Sequence, residues 1–151
     1  MRELRQLAEM RNRLEDTLSG LTPEQLFRVP EGFGNHIAWN AAHVIVTQQL
    51  LCYGLSGLEP LLHRDLIDRY RKGTGADTAD EGSYRAVLAL LHEGPRRLRA
   101  DYEAGRFVRF RRYMTSAGIA LAEIEDAISF NNIHEGIHLG YILAQRKLVA
   151  A

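Results

Sequence analysis

Residues 131–142 read "NNIHEGIHLGYI", and within them His134-Glu135-Gly136-Ile137-His138 spells H-E-x-x-H. Two histidines four residues apart on a helix project from one face, one turn apart, a spacing suited to a single metal ion. The same string marks the active-site helix of zinc proteases, so its reading decides which fold to expect. A protease needs a third ligand, normally downstream. None of the 13 residues after His138 is His, Asp, Glu or Cys, and Ala144 stands where the extended metalloprotease pattern has its third histidine. The protease reading is poor, and a third ligand is expected upstream.

Working outward, helical spacing dominates and no strand alternation stands out. The H-E-x-x-H string lies in a predicted helix from near Gly118 to about Leu148. A first helix is predicted over Arg2–Ser19, with Leu4, Leu7, Met10 or Arg11, Leu14 and Leu18 on one stripe and Gly20 as its stop. "LTPEQLF" predicts a short helical turn, with Thr22 as cap, Pro23 at the first position and Gln25 completing a capping box. Asn35 can cap a second helix from His36 to about Leu55. A third is predicted from Ser83 to about Ala104, kinked at Pro95. Four long amphipathic helices predict an all-α four-helix bundle as a single domain over residues 1–151. Residues 56–82 are too long for a hairpin and can cross the bundle's length, with "LLHRDLIDRYRKG" forming a helical turn or two on the way.

The upstream candidates for the third ligand are His36, His43, His63 and His92. His43 lies roughly 12 Å into the second helix and His138 roughly 15 Å from the end of the fourth, at 1.5 Å per residue. Antiparallel helices bring these heights together, and the long connection permits that arrangement. In a parallel pair the fourth-helix histidines stand roughly 24–30 Å from that end and no site closes. Geometry favours His43. Around it, His36, Asn40, His43 and Thr47 share one face of the second helix, and Asn131, His134, His138, Tyr141 and Gln145 share one face of the fourth. Polar stripes on faces that normally turn to a core predict a built site, because buried polar groups need partners.

The stretches "NHIAWNAAHVIVTQQLLCYGLSG" and "YMTSAGIALAEIEDAISFNNIHEGIHLGYILAQRK" resemble the DinB-like superfamily of small bacterial metal-binding bundles, over nearly the whole chain. The resemblance implies up-down-down-up topology, frequent dimerisation and a divalent metal held by three histidines, which map onto His43, His134 and His138. It also implies activity of the thiol-dependent S-transferase type, with a low-molecular-weight thiol as cosubstrate. Metal-dependent hydrolysis and a non-catalytic, stress-associated metal-binding bundle are the alternatives. The family motif needs no glutamate after its first terminal histidine, so the H-E-x-x-H string is incidental in this reading.

Glu135 is the one candidate general base, although a solvated helix position is the commoner fate of such a residue. Asn40 and Asn131, each three residues before a ligand, are candidates to hydrogen-bond the ligands from behind. Tyr141 is a candidate to orient a substrate, against the commoner reading of aromatic core filling. His36 is read as a helix-start residue, and His63 and His92 as surface or packing positions. Imidazole ligands leave the metal open among Zn, Ni, Fe and Mn.

"RFVRFRRY", residues 106–113, together with Arg96, Arg97 and Arg99, is the one basic concentration. Lys plus Arg equals Asp plus Glu at 19 each, so the chain as a whole gives no charge argument for nucleic acid. Part of the cluster could instead receive an anionic cosubstrate. Cys52, the single cysteine, lies on an apolar stretch and is read as core; alone, it forms no internal disulfide and fits a reducing compartment. No apolar run reaches membrane-spanning length and the N-terminus is charged every few residues. A cytoplasmic protein acting on a small molecule, with no membrane partner, is expected. Apolar surface around "VIVTQQLLCYGL" predicts a homodimer.

Overall fold

Leu4, Leu7, Arg11 and Leu14, spaced three or four residues apart, form the buried stripe of α1, Arg2–Leu18. Of the two candidates for the middle of that stripe, Met10 and Arg11, it is the arginine that points inward. The computed structural model describes residues 1–150. Beyond α1, Gly20 turns the chain at φ +78°, a conformation that side chains with a Cβ resist. The short α2, Pro23–Phe27, has the capping box read from its sequence: Gln25 N–H donates to Thr22 Oγ1 and Thr22 N–H to Gln25 Oε1.

The second long helix, α3, spans Ile37–Gln48. Its cap is His36 rather than Asn35: His36 Nδ1 accepts from Trp39 N–H at 2.9 Å, which leaves the Asn35 carbonyl to accept from Gln145 Nε2 at 2.6 Å. After Gln48 the helix widens into a π turn, Gln49–Gly54, closed by Leu55 N–H donating to Leu50 O at 3.1 Å. "VIVTQQLLCYGL" lies along these segments and is core almost throughout. The expected apolar surface there is therefore interior, shared between one cluster around Ile45 and Ile142 and another around Leu51 and Leu98.

The crossover carries α4, Arg64–Tyr70, within the stretch expected to turn helical. The predicted third helix is two helices: α5, Glu81–Leu88, capped by Asp80, and α6, Glu93–Glu103. The break precedes Pro95, which sits in the first turn of α6 where its missing N–H costs least. Pro95 cannot donate to the carbonyl of Leu91, four residues back. That carbonyl instead accepts from Arg11 Nη1 at 3.3 Å. At Gly94 a Cβ would stand 3.0 Å from Gln48 Oε1, so the start of α6 packs closely on α3.

The fourth long helix, α7, spans Ile124–Val149, starting later than Gly118. The residues before it form a small antiparallel hairpin, β1 Tyr113–Met114 with β2 Ala120–Leu121, whose turn uses Gly118 at φ +75°. Two residues per strand are too few for alternation to register in the sequence. Glu125 and Asp126 in the first turn of α7, with Arg146 and Lys147 in the last, complement its dipole.

Side-chain contacts fix the directions. Arg11 meets Glu135 and Arg146 meets Thr17 O, so α1 and α7 run parallel. His43 faces His134 while Asn40 meets Gln145, so α3 and α7 run antiparallel. Phe27 packs on both His36 and Tyr84, and Gln48 lies against Gly94, so α3 and the α5–α6 pair descend together. The result is an up-down-down-up helical bundle. Among the described residues no helix is long and apolar enough to cross a membrane.

Candidate metal centre

The antiparallel pairing of α3 and α7 brings His43, His134 and His138 together: one ring nitrogen from each lies within 4.8 Å of the other two. His43 Nδ1 stands 2.6 Å from the carbonyl oxygen of Tyr70, which only an N–H can satisfy, so Nδ1 carries the proton and Nε2 is a bare acceptor. His138 is fixed likewise, its Nδ1 lying 2.8 Å from Asn40 Oδ1. Asn40 is itself held, donating from Nδ2 to His36 O and to Gln145 Oε1, both at 3.1 Å. The Asn40 side chain thus presents its oxygen to His138 and not its amide. Trp39 stacks on the His43 ring at 4.5 Å between centroids and 11° between planes. Its indole N–H donates to Thr74 Oγ1 at 3.0 Å, tying the loop after α4 to the site.

His43 Nε2 and His134 Nε2 are 3.3 Å apart. A tetrahedron with metal–nitrogen bonds of about 2.0–2.1 Å has edges of about 3.3–3.4 Å, so the two nitrogens already occupy two corners of such a site. His134 Nδ1 is buried without a protein partner, so among the three rings His134 alone has no hydrogen bond behind it. Burial lowers all three pKa values below the ordinary imidazole range. His134 is pushed down to about 3 by desolvation, then by His138 and His43; His138 is pushed down to about 4 by desolvation and then by His43. For His43, desolvation outweighs the opposing bond to Tyr70 O. All three are neutral near pH 7, the form that ligates metal. The donor set, the spacing and the tautomers fit a divalent ion.

The cluster forms the junction of two open chambers. The larger, of about 520 Å³, is lined by Phe33, Asn40, Thr74, Tyr141 and Gln145 among others. The smaller, of about 320 Å³, is lined by residues of the π turn, the hairpin and Phe130. Among the described residues no carboxylate lines either one.

Glu135 is on the other side of α7. It is 3% exposed and takes both branches of the buried Arg11 guanidinium, Nε to Oε2 at 2.8 Å and Nη2 to Oε1 at 2.7 Å. One residue beyond a ligand, a helical side chain is turned about 100° away, which carries the carboxylate out of the cleft. It is neither a solvated position nor placed to act as a base. Asn131 goes with it: grouped with the histidines by helical spacing, it donates instead to Glu135 Oε1 at 2.9 Å. Tyr141 is half-exposed rather than core, its ring 6.3 Å from His138 at the wall of the larger chamber. His63 and His92 are remote and exposed, each beside a carboxylate, Asp65 and Glu15. Cys52 is fully buried, and burial pushes its thiol pKa far up, so it offers no thiolate.

A sequence model of the DinB superfamily matches residues 6–142. The chain belongs to the DinB superfamily. The match runs from within α1 to within α7 and takes in all three histidines. No curated protein matches this DinB-superfamily sequence. Sequence reasoning did not find the Tyr70 carbonyl, the Trp39 stack or Lys72 at the wall of both chambers. A backbone acceptor has no residue signature, while the position of Trp39, four residues before His43 and so one turn away on the same face, was a usable signal.

Proposed function

We propose that this chain is a metal-dependent enzyme in which His43, His134 and His138 hold one divalent ion (Zn, Ni, Fe or Mn), and that it transfers a low-molecular-weight thiol to a small electrophile. The observation that carries the reading is the engagement of the rings: Nδ1 of His43 and His138 is held by Tyr70 O and Asn40, which leaves Nε2 of each an acceptor, and both rings line an open cleft. A divalent ion at such a site supplies Lewis-acid activation of a nucleophile near neutral pH. Three protein ligands leave a position for the reactant, as catalytic sites require and closed structural sites do not. The chain's own part is positioning. Trp39 and Tyr70 O fix His43, Asn40 fixes His138, and the walls of two chambers meet at the cluster, as a reaction between two reactants needs.

Activation by the ion also fits the absence of a carboxylate from the described lining, since carboxylate-assisted hydrolysis lacks its base here. S-transfer itself rests on the family resemblance. The test is elemental analysis of purified protein, followed by a screen of low-molecular-weight thiols against model electrophiles. Stoichiometric metal and thiol consumption that stops on chelation are expected; a metal-replete protein inert to every thiol would overturn the transferase reading. Self-association into a homodimer belongs to the same proposal. It is supported by the exposed apolar positions Ile133, Ile137, Tyr141 and Leu148 on α7, and sedimentation giving a monomer at high micromolar concentration would remove it.

A further inference from the structure

The two chambers that meet at the histidines differ in chemistry. In the larger one the Asn40 and Gln145 side chains are already engaged, Asn40 with His138 and Gln145, and Gln145 with the Asn35 carbonyl. The smaller chamber is walled by Leu50 and Leu51 from the π turn, by Leu55 just after it and by Phe130 from α7. An α-helical continuation of α3 closes each turn on the fourth residue; the π turn closes on the fifth and widens the helix where these leucines line the chamber. The opposite wall is the hairpin segment, pinned where Arg111 N–H donates to Leu55 O at 2.7 Å.

Two cations, Lys72 and Arg111, line this apolar chamber, and Lys72 lines the larger one as well. Neither has an ion-pair partner among the described residues. Arg71, next to Lys72, does: it pairs with Asp68 at 3.1 Å. An apolar chamber with two uncommitted cations and no carboxylate selects a ligand by both properties together.

We propose that the smaller chamber binds a small anionic amphiphile, its apolar chain or ring against Leu50, Leu51, Leu55 and Phe130 and its anionic group on Lys72 and Arg111. As a statement of substrate class this rests on the reading of the histidine cluster as the reaction centre, to which the chamber opens at His43 and His134. The larger chamber then receives the second reactant.

Octanoate, acetate and 1-octanol separate the two requirements by isothermal titration against metal-analysed protein. Octanoate binds; acetate, lacking about six methylenes worth about 0.8 kcal/mol each, gives no measurable heat. Uncharged 1-octanol binds about tenfold more weakly than octanoate, and Arg111→Met and Lys72→Met each weaken octanoate roughly fivefold with metal content unchanged. Leu50→Glu, which puts a carboxylate among the leucines, abolishes octanoate binding. Failure of metal-replete wild type to bind octanoate overturns the proposal and leaves the metal reading standing. Binding that ignores both cation substitutions but vanishes on chelation also overturns it, because the carboxylate then sits on the ion. Octanoate bound as described by chelator-stripped protein supports the chamber's chemistry, and elemental analysis of the purified protein decides the metal reading separately.

Discussion

Helix α7 has a polar cluster on each side, and the two are built on opposite terms. On one side Arg11 and Glu135 turn their charges on each other, with Asn131 and Gln48 bonded to the pair. On the other side three imidazoles are gathered and two have their donors turned outward, so that lone pairs converge. A buried charge pair closed on itself holds helices in place and reacts with nothing. Converging acceptors call for a cation. The H-E-x-x-H string runs across this divide, its histidines on one side and its glutamate on the other, so adjacency in sequence misstates the chemistry.

The comparison breaks most completely at the ligands. His134→Ala or His138→Ala is expected to abolish stoichiometric metal while the helical circular dichroism persists, since two imidazoles at an open site hold an ion poorly. Full occupancy in either variant, by elemental analysis, would show the ligand set to be wrong. On the other side, Glu135→Leu leaves a guanidinium buried without its counter-charge and should cost about 3–5 kcal/mol in urea unfolding. The protein that remains folded should keep its metal. Peptide hydrolysis by wild type, lost in Glu135→Gln, would restore the protease reading.

The next effect concerns pH in protein stripped of metal. His134 and His138 have folded pKa values of about 3 and about 4, below the unfolded value of about 6.5. Between these limits the unfolded chain binds more protons, so stability is full above about pH 6.5 and falls as pH drops toward 4. Denaturation midpoints measured across that window should decline, and metal loading should flatten the decline above the pH at which the ion is released. A flat profile in the stripped protein would mean that the rings are not buried neutral.

Smaller still, Asn40→Ala removes the acceptor behind His138 and is expected to weaken metal binding about 10–100-fold, as loss of such outer partners does elsewhere. Competition with a chromophoric chelator measures it. His63→Ala, at a remote exposed site, should leave metal content unchanged.

These contrasts also explain what was legible beforehand. The helical stripes announce the bundle because burial imposes a period that Leu4, Leu7 and Leu14 obey. The meeting of His43, His134 and His138 can be read because i, i+4 spacing and helix heights are local arithmetic. The partner of Glu135 could not be read, since Arg11 lies 124 positions away and looks, within its own helix, like an alternative to Met10. Nor could the π turn, which is a change of hydrogen-bond partner with no residue that encodes it. Asn131 fell to the wrong cluster because α7 is polar on both sides, and helical period alone does not say which polar residue faces which neighbour.

Arg11 also bears on how the chain assembles. Its guanidinium reaches Glu135 on α7, Gln48 on α3 and the Leu91 carbonyl that Pro95 leaves free before α6. Those partners lie 124, 37 and 80 positions away, so no local segment can satisfy the group. A collapsed intermediate missing any one helix must keep the guanidinium hydrated or bury it short of a partner. The interaction therefore completes late, after the loops between all four long elements have closed. A bundle threaded in another order places Glu135 or Leu91 out of reach and buries a bare charge, so one residue in the first helix discriminates against wrongly connected assemblies.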